Sequence, residues 1–269
     1  MRPRRKQSFA GLTLLVGLLA AFGTTLADPR EPNDWLDRMT NAVKKTSYEG
    51  TVIRIRDGEA EALKVAHTFA DGVIREKIVA QEGNGLEIIR DGNKVHCILP
   101  DRKSVLVEEW DDQSTLFSTL PSSNIRFGSE YDVSIVREDR VAARQTKLLA
   151  IRPHDAYRYG YRIWLDIETG FPLQTQLIDT DGSAIEQIKF AEIALNKEIR
   201  ASALAPSYST DTFSWVNQSN PHVTRSIDTE WFSEDLPQGF RAISTHEERM
   251  ADGDKYVTHI LYSLSLIHI

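Results

Sequence analysis

Cysteine is almost missing from this chain of 269 residues: Cys97 is the single one. An internal disulfide and a CxxC zinc or redox pair are thereby excluded. Alternation with Val95 and Leu99 predicts that Cys97 is a buried thiol on a strand. The seven histidines, His67, His96, His154, His222, His246, His259 and His268, are scattered, with no i, i+4 pair and no HExxH. GxSxG, the P-loop and the GxGxxG fingerprint are lacking as well, so no constellation supports hydrolysis, phosphoryl transfer or dinucleotide chemistry. The chain is read as a non-enzyme with no catalytic residue, no metal ligand and no cofactor. Basic surface is also scarce: the formal net charge is −7, which disfavours a nucleic-acid partner. In so acidic a chain Glu108-Glu109 and Asp111-Asp112 read as solvated loop edges rather than as paired catalytic carboxylates.

Long apolar runs are confined to the start. Arg2, Arg4, Arg5 and Lys6 precede an apolar stretch from Phe9 to Phe22, and Thr25-Leu26-Ala27 places small residues where a signal peptidase reads. Residues 1–27 are therefore expected to be a signal peptide cleaved after Ala27, the run being short for a membrane span. No cysteine follows it to accept a lipid anchor, so a periplasmic protein that does not itself span the membrane is expected. Removing four basic and no acidic residues takes the net charge from −7 to −11.

What the chain has in plenty is alternation. One helix comes first: Trp35, Leu36, Met39, Ala42 and Val43 recur at helical spacing from about Asn33 to Thr46, with Asn33 or Asp34 as the cap and the Trp and Met stripe as core. Strands follow at Thr51 to Arg56, Leu63 to Phe69, Val73 to Val79, Leu86 to Arg90, Lys94 to Leu99 and Ser104 to Val107. Asp57-Gly58, Asp71-Gly72 and Asp91-Gly92 supply tight hairpin turns between them. Alternation stops between Glu108 and Glu130, a long connection holding about one helical turn. It resumes at Tyr131 to Val136, Arg144 to Ile151, the hairpin Tyr157 to Leu177, and Ala184 to Glu192 after Asp181-Gly182. Eleven strands and one helix imply a mainly β (α+β) first domain, residues 28–200, with a large curled antiparallel sheet and a covering helix. Residues 201–222, poor in periodicity, read as a linker. Residues 223–269 read as a smaller C-terminal α+β domain, incomplete because one hairpin from Phe240 to Tyr262 cannot carry its own core.

The hairpin Tyr157 to Leu177 organises this reading. Its inward set, Tyr159, Tyr161, Ile163, Leu165, Leu173 and Leu177, together with Leu63 and Val65, allows two interpretations. One is an apolar cavity for an acyl chain, worth ~0.8 kcal/mol per buried methylene. The other is an ordinary core completed by the 108–130 connection. His67, on the apolar face of its strand, is expected to be a satisfied core histidine. Arg54, Arg56, Arg158 and Arg162 are expected to point outward, in cross-strand pairs or toward an anionic headgroup. In the second domain Trp231, Phe232 and Phe240 are candidate partner contacts, or equally the core of that domain.

Several segments together resemble the RseB/MucB family of periplasmic regulators of the envelope-stress sigma factor sigma-E (AlgU). They are the Asp34-Trp35-Leu36 helix running into Tyr48-Glu49-Gly50-Thr51-Val52, the strand Tyr159 to Asp166 followed by Thr169-Gly170-Phe171-Pro172-Leu173, and the turn Asp179 to Gln187. The likeness spans about Asn33 to Tyr262. It implies an unclosed β-barrel like the lipoprotein carriers, followed by a small domain that in the family extends beyond Tyr262. It implies binding to the periplasmic part of a membrane-spanning, RseA/MucA-like anti-sigma factor, protection of that factor from site-1 proteolysis, and release by an amphiphile such as lipid or lipopolysaccharide. The alternative is a periplasmic lipid or lipoprotein carrier without a regulatory role.

Overall fold

The computed structural model describes residues 31–109, 116–117, 130–217, 225–226, 233, 241–249 and 256–263. The expected signal peptide, most of the 108–130 connection, and Trp231, Phe232 and Phe240 lie outside them.

The first element, α1 (Pro32–Lys45), starts at Pro32, whose missing N–H costs nothing in a first turn. Glu31, in extended conformation, is the cap residue and no side chain caps the helix; Asn33 and Asp34 fall within its first turn, contrary to the expected capping role. Asp34 in the first turn and Lys44 and Lys45 in the last oppose the helix dipole favourably. The stripe is core, as anticipated: Trp35 is 0% and Met39 1% exposed. Arg38, stacked over the Trp35 ring at 4.5 Å, donates to the carbonyls of Glu168 and Ile167, which ties the helix to a hairpin turn of the sheet.

Eleven antiparallel strands follow: β1 (Tyr48–Arg56), β2 (Glu59–Ala70), β3 (Val73–Ala80), β4 (Glu87–Asp91), β5 (Lys94–Leu99), β6 (Ser104–Glu109), β7 (Tyr131–Val141), β8 (Arg144–Pro153), β9 (Gly160–Asp166), β10 (Pro172–Ile178) and β11 (Ala184–Leu195). β1 to β6 form one meander and β7 to β11 another, and pairing of β1 with β11 fuses them. Among the described residues the sheet does not close: β7 is one edge, and the other is β12 (Ser214–Asn217), which pairs in parallel with β6. Bulges after Thr51, Ile135, Pro172 and Leu177 raise the local twist and curl the sheet. At the first of them Gly50 is required, because a Cβ there would stand 2.4 Å from the carbonyl oxygen of Glu192.

Two features depart from the expectation. The stretch read as linker is structured: α2 (Ala201–Leu204) and β12 both lie in it. The hairpin Tyr157 to Leu177 also buries more than its inward set, since β9 buries Trp164 (7%) as well as Tyr161, Ile163 and Leu165. Its strand begins only at Gly160, so Tyr159 sits before it and is 43% exposed.

β13 (Arg225–Ser226), β14 (Arg241–Arg249) and β15 (Tyr256–Ser263) form a separate three-stranded antiparallel sheet. Val257 and Leu261 of β15 are exposed.

Candidate functional site

Register places the core-facing side chains of β1 to β6 in parallel rows. The first row is polar: Tyr48, His67, Glu76 and Arg90 are successive cross-strand neighbours. All four are buried, with exposures of 1, 0, 1 and 4%. His67 lies stacked on Tyr48 at 5.0 Å, and its Nδ1 is 3.6 Å from the Glu76 carboxylate. That distance exceeds a hydrogen bond and neither ring nitrogen has one, so His67 is a core histidine but not a satisfied one. Burial, aided by the Glu76 charge, pushes the Tyr48 phenol well above its ordinary range and keeps it neutral.

The adjacent row is apolar: Gly50, Val65, Ile78, Ile88, Cys97, Leu106 and Val216, from β1 through β6 to β12. Val65 and Ile78 are buried, Ile88, Cys97 and Leu106 half-buried, and Val216 is 46% exposed. The core face is thus closed toward β1 and opens toward β12. Cys97 is correspondingly only half-buried, with Val95 and Ile98 as the buried residues of its strand. Burial and the nearby Glu108 raise its thiol pKa to about 11.

At the closed end Tyr48, Phe117, Phe171 and Phe190 pack edge-on and tilted at 4.8–6.3 Å, with Leu116 beside them. Such contacts contribute ~0.5–1.5 kcal/mol each beyond burial. Leu116 and Phe117 come from the 108–130 connection, so at this end the sheet holds an ordinary core completed by that connection. The candidate cavity residues divide accordingly. Leu63, Val65 and Leu173 belong to this cluster. Tyr161, Ile163 and Leu165 belong to a second one built on Trp35, Leu36 and Met39, with Leu177 packed at its margin. Tyr159 belongs to neither.

The arginines divide too. Arg54 pairs with its cross-strand neighbour Glu61 at 2.6 Å, as foreseen, and Arg56 and Arg162 are exposed. Arg158 is instead buried at 7% and paired with Asp155, a correction that follows from its place in the loop before β9.

The opposite face of the sheet carries a feature that sequence reasoning missed. Glu49, Thr51, Lys64, Lys77, Val79 and Glu192 border a groove of about 550 Å³, closed on one side by Ala203 and Ser207. Here Lys77 Nζ donates to the Ala205 carbonyl at 2.6 Å and to Ser207 Oγ at 2.7 Å, and lies 3.6 Å from Glu87. The Glu87 carboxylate, 0% exposed, accepts from the Ser207 N–H at 2.9 Å. Phe213 then packs on Ile89, Ile98, Val105 and Val107. Residues 201–213 are therefore a strap, latched to the outer face by a buried ion pair, that delivers β12 to the sheet edge. Beyond it Trp215 is 54% exposed, edge-on to His96 at 5.6 Å. Only the apolar pair Trp215-Val216 signalled this strand in the sequence, and four residues are too few for periodicity to register.

Among the described residues no helix is long and apolar enough to cross a membrane. Comparison with known proteins gives one consistent result. The family model for the MucB/RseB N-terminal domain matches residues 31–208. The sigma factor AlgU regulatory protein MucB of Pseudomonas aeruginosa is 31% identical over 183 residues, 68% of this chain and 56% of that protein. The chain thus spans little more than half the length of that relative. The sigma-E factor regulatory protein RseB of Escherichia coli is 25% identical over 243 residues, covering 89% of this chain and 74% of that one. Among solved structures, MucB in complex with MucA(peri) superposes with a TM-score of 0.62 at 26% identity, over 88% of this chain and 76% of that chain. With its family model covering both meanders and the first part of the strap, this chain belongs to the MucB/RseB family.

Proposed function

We propose that this chain is a periplasmic, non-enzymatic negative regulator of a sigma-E (AlgU-type) envelope-stress sigma factor. It binds the periplasmic part of a MucA-like anti-sigma factor and shields that factor from site-1 proteolysis. The observation that carries this reading is the likeness to a MucB crystallised with MucA(peri), over 88% of this chain. Release by lipid or lipopolysaccharide fits the apolar row that opens toward β12, where Ile88, Cys97 and Leu106 are half-buried and an acyl chain has surface to cover. In this reading residues 1–27 direct export, and the small domain adds partner contacts through Trp231, Phe232 and Phe240.

The test is capture of the purified mature protein by the periplasmic segment of the cognate anti-sigma factor, with and without lipopolysaccharide, alongside cleavage by the site-1 protease. Complex formation that slows cleavage and weakens with lipopolysaccharide is expected. Absence of a complex in every condition refutes regulation. Acyl-chain binding with transfer to an acceptor, and no anti-sigma contact, would make the protein a carrier. N-terminal sequencing should begin at Asp28.

A further inference from the structure

The two edges of the open sheet are built differently. β7 carries the defences that edge strands ordinarily have: a bulge between Ile135 and Arg137, then four consecutive charged residues, Arg137 to Arg140, with Arg137 bonded to Asp139 at 3.1 Å. β12 has none. Its sequence, Ser-Trp-Val-Asn, contains no charge and no proline, all four residues are exposed, and no bulge interrupts its pairing with β6. Trp215 and Val216 point to opposite faces and are 54% and 46% exposed, so the edge is apolar on both sides.

This edge is also held firmly in place. The buried Lys77–Glu87 pair fixes residues 205–207, Phe213 is packed in an apolar cluster, and the Ser214 N–H donates to the Lys103 carbonyl at 2.9 Å. Since the Ser214 N–H points toward β6, the alternation of a strand turns the Trp215 and Asn217 N–H groups away from it, toward solvent. A strand that is latched, uncharged and, among the described residues, unpaired along one side is a preformed acceptor for another strand.

We propose that β12 is the docking edge for an extended segment of the anti-sigma partner, which adds to the sheet as a further strand. This inference rests on the regulatory reading above. The surroundings specify the segment's chemistry. Exposed Arg102 and Lys103, outnumbering Asp101, flank the Ser214 end, and Glu108 lies one residue past the cross-strand partner of Asn217. The complementary segment has consecutive uncharged, apolar residues at its centre, an acidic residue toward the Ser214 end and a basic one toward the other.

The experiment uses the full mature chain and the periplasmic segment of the MucA-like anti-sigma factor. Asn217→Pro removes an outward N–H and leaves the β6 ladder intact, whereas Asn217→Ala removes only the side chain. The proline variant should bind about ten-fold more weakly than the alanine variant, and Trp215→Ala should lose a comparable factor. Circular dichroism and thermal melts verify that each variant folds. Hydrogen exchange on the parent chain gives an independent readout: on binding, the Trp215 and Asn217 amides should gain protection. Equal affinity of all variants, with no added protection at Trp215 or Asn217, overturns the docking edge and leaves the regulatory reading standing. Failure of the parent chain to bind the segment overturns both. Protection of these amides that rises with protein concentration alone would assign the edge to a second copy of this chain, which also overturns the proposed occupant.

Discussion

Replacing Lys77 with methionine tests whether the strap is held by its buried ion pair. Lys77 is 10% exposed at its side chain and makes two hydrogen bonds to the strap, at 2.6 and 2.7 Å, besides facing Glu87 at 3.6 Å. Methionine matches the volume of the lysine stem, so packing is nearly conserved. What changes is that the Glu87 carboxylate, 0% exposed, loses the lysine and is left with the Ser207 N–H. Removing one member of a buried pair costs ~3–5 kcal/mol, mostly because the other charge is stranded. For a domain of this size each kcal/mol shifts the melting temperature by about 2–4 °C, so a drop on the order of 10 °C is expected. Changing both residues, Lys77→Met with Glu87→Gln, removes the stranded charge while retaining an acceptor for Ser207, and should recover all but ~1–2 kcal/mol. Urea unfolding followed by circular dichroism supplies the free energies, and limited proteolysis between residues 200 and 213 reports the strap directly. A single variant within ~1 kcal/mol of the parent, or a double variant no better than the single, would refute the reasoning.

Three further outcomes follow from the same geometry. Gly170→Ala should destabilise by ~2–3 kcal/mol in thermal melts, because φ is +76° there and the new Cβ would meet Arg38 Cβ at 2.9 Å. Burial raises the Asp166 pKa, but bonds from Arg144 at 2.6 Å and from Thr169 outweigh it and hold the carboxyl below 3.8. Its stabilising contribution is therefore present above pH 3.8 and fades as pH falls through the lower folded value. Asp166→Asn should lag the parent most in urea midpoint at about pH 7 and least at about pH 3; a constant gap would contradict this. Cys97, with its thiol pKa at about 11, should react with a thiol-exchange reagent at least a hundred-fold more slowly than free cysteine at about pH 8. A rate matching free cysteine would place it outside the core face.

Much of the first sheet was legible because its turns carry their own chemistry. Asp57-Gly58 and Asp71-Gly72 both adopt positive φ, as a two-residue hairpin turn demands, and the strands on either side pair in the register those turns dictate. The β7–β8 hairpin shows the limit. It turns at Ala142-Ala143, with φ of 46° and 62°, a conformation costing roughly 1–2 kcal/mol per alanine and carrying no sequence signal. Packing of Val141 and Leu148, each 3% exposed, offsets that cost and extends β7 five residues past its expected end at Val136. The candidate cavity set was less legible: periodicity identified which residues are apolar, but alternation cannot reveal that β8 and β9 are buried on both faces.

The sequence by itself determined the local partners: which residues form strands, which pairs make hairpins, and that α1 buries Trp35 and Met39. These depend on turn chemistry and on periods of two and 3.6, both readable within a dozen residues. Tertiary structure alone decided how the pieces join. The fusion of two meanders through β1 and β11, and the bonds that Lys77 and Glu87 make to Ala205 and Ser207, link residues far apart in the chain, while the buried row Tyr48–His67–Glu76–Arg90 takes one residue from each of four successive strands. β12 is the clearest case, since four residues with no periodic signature became a sheet edge only because a strap, pinned some 130 residues from its anchor on Lys77, carried them there.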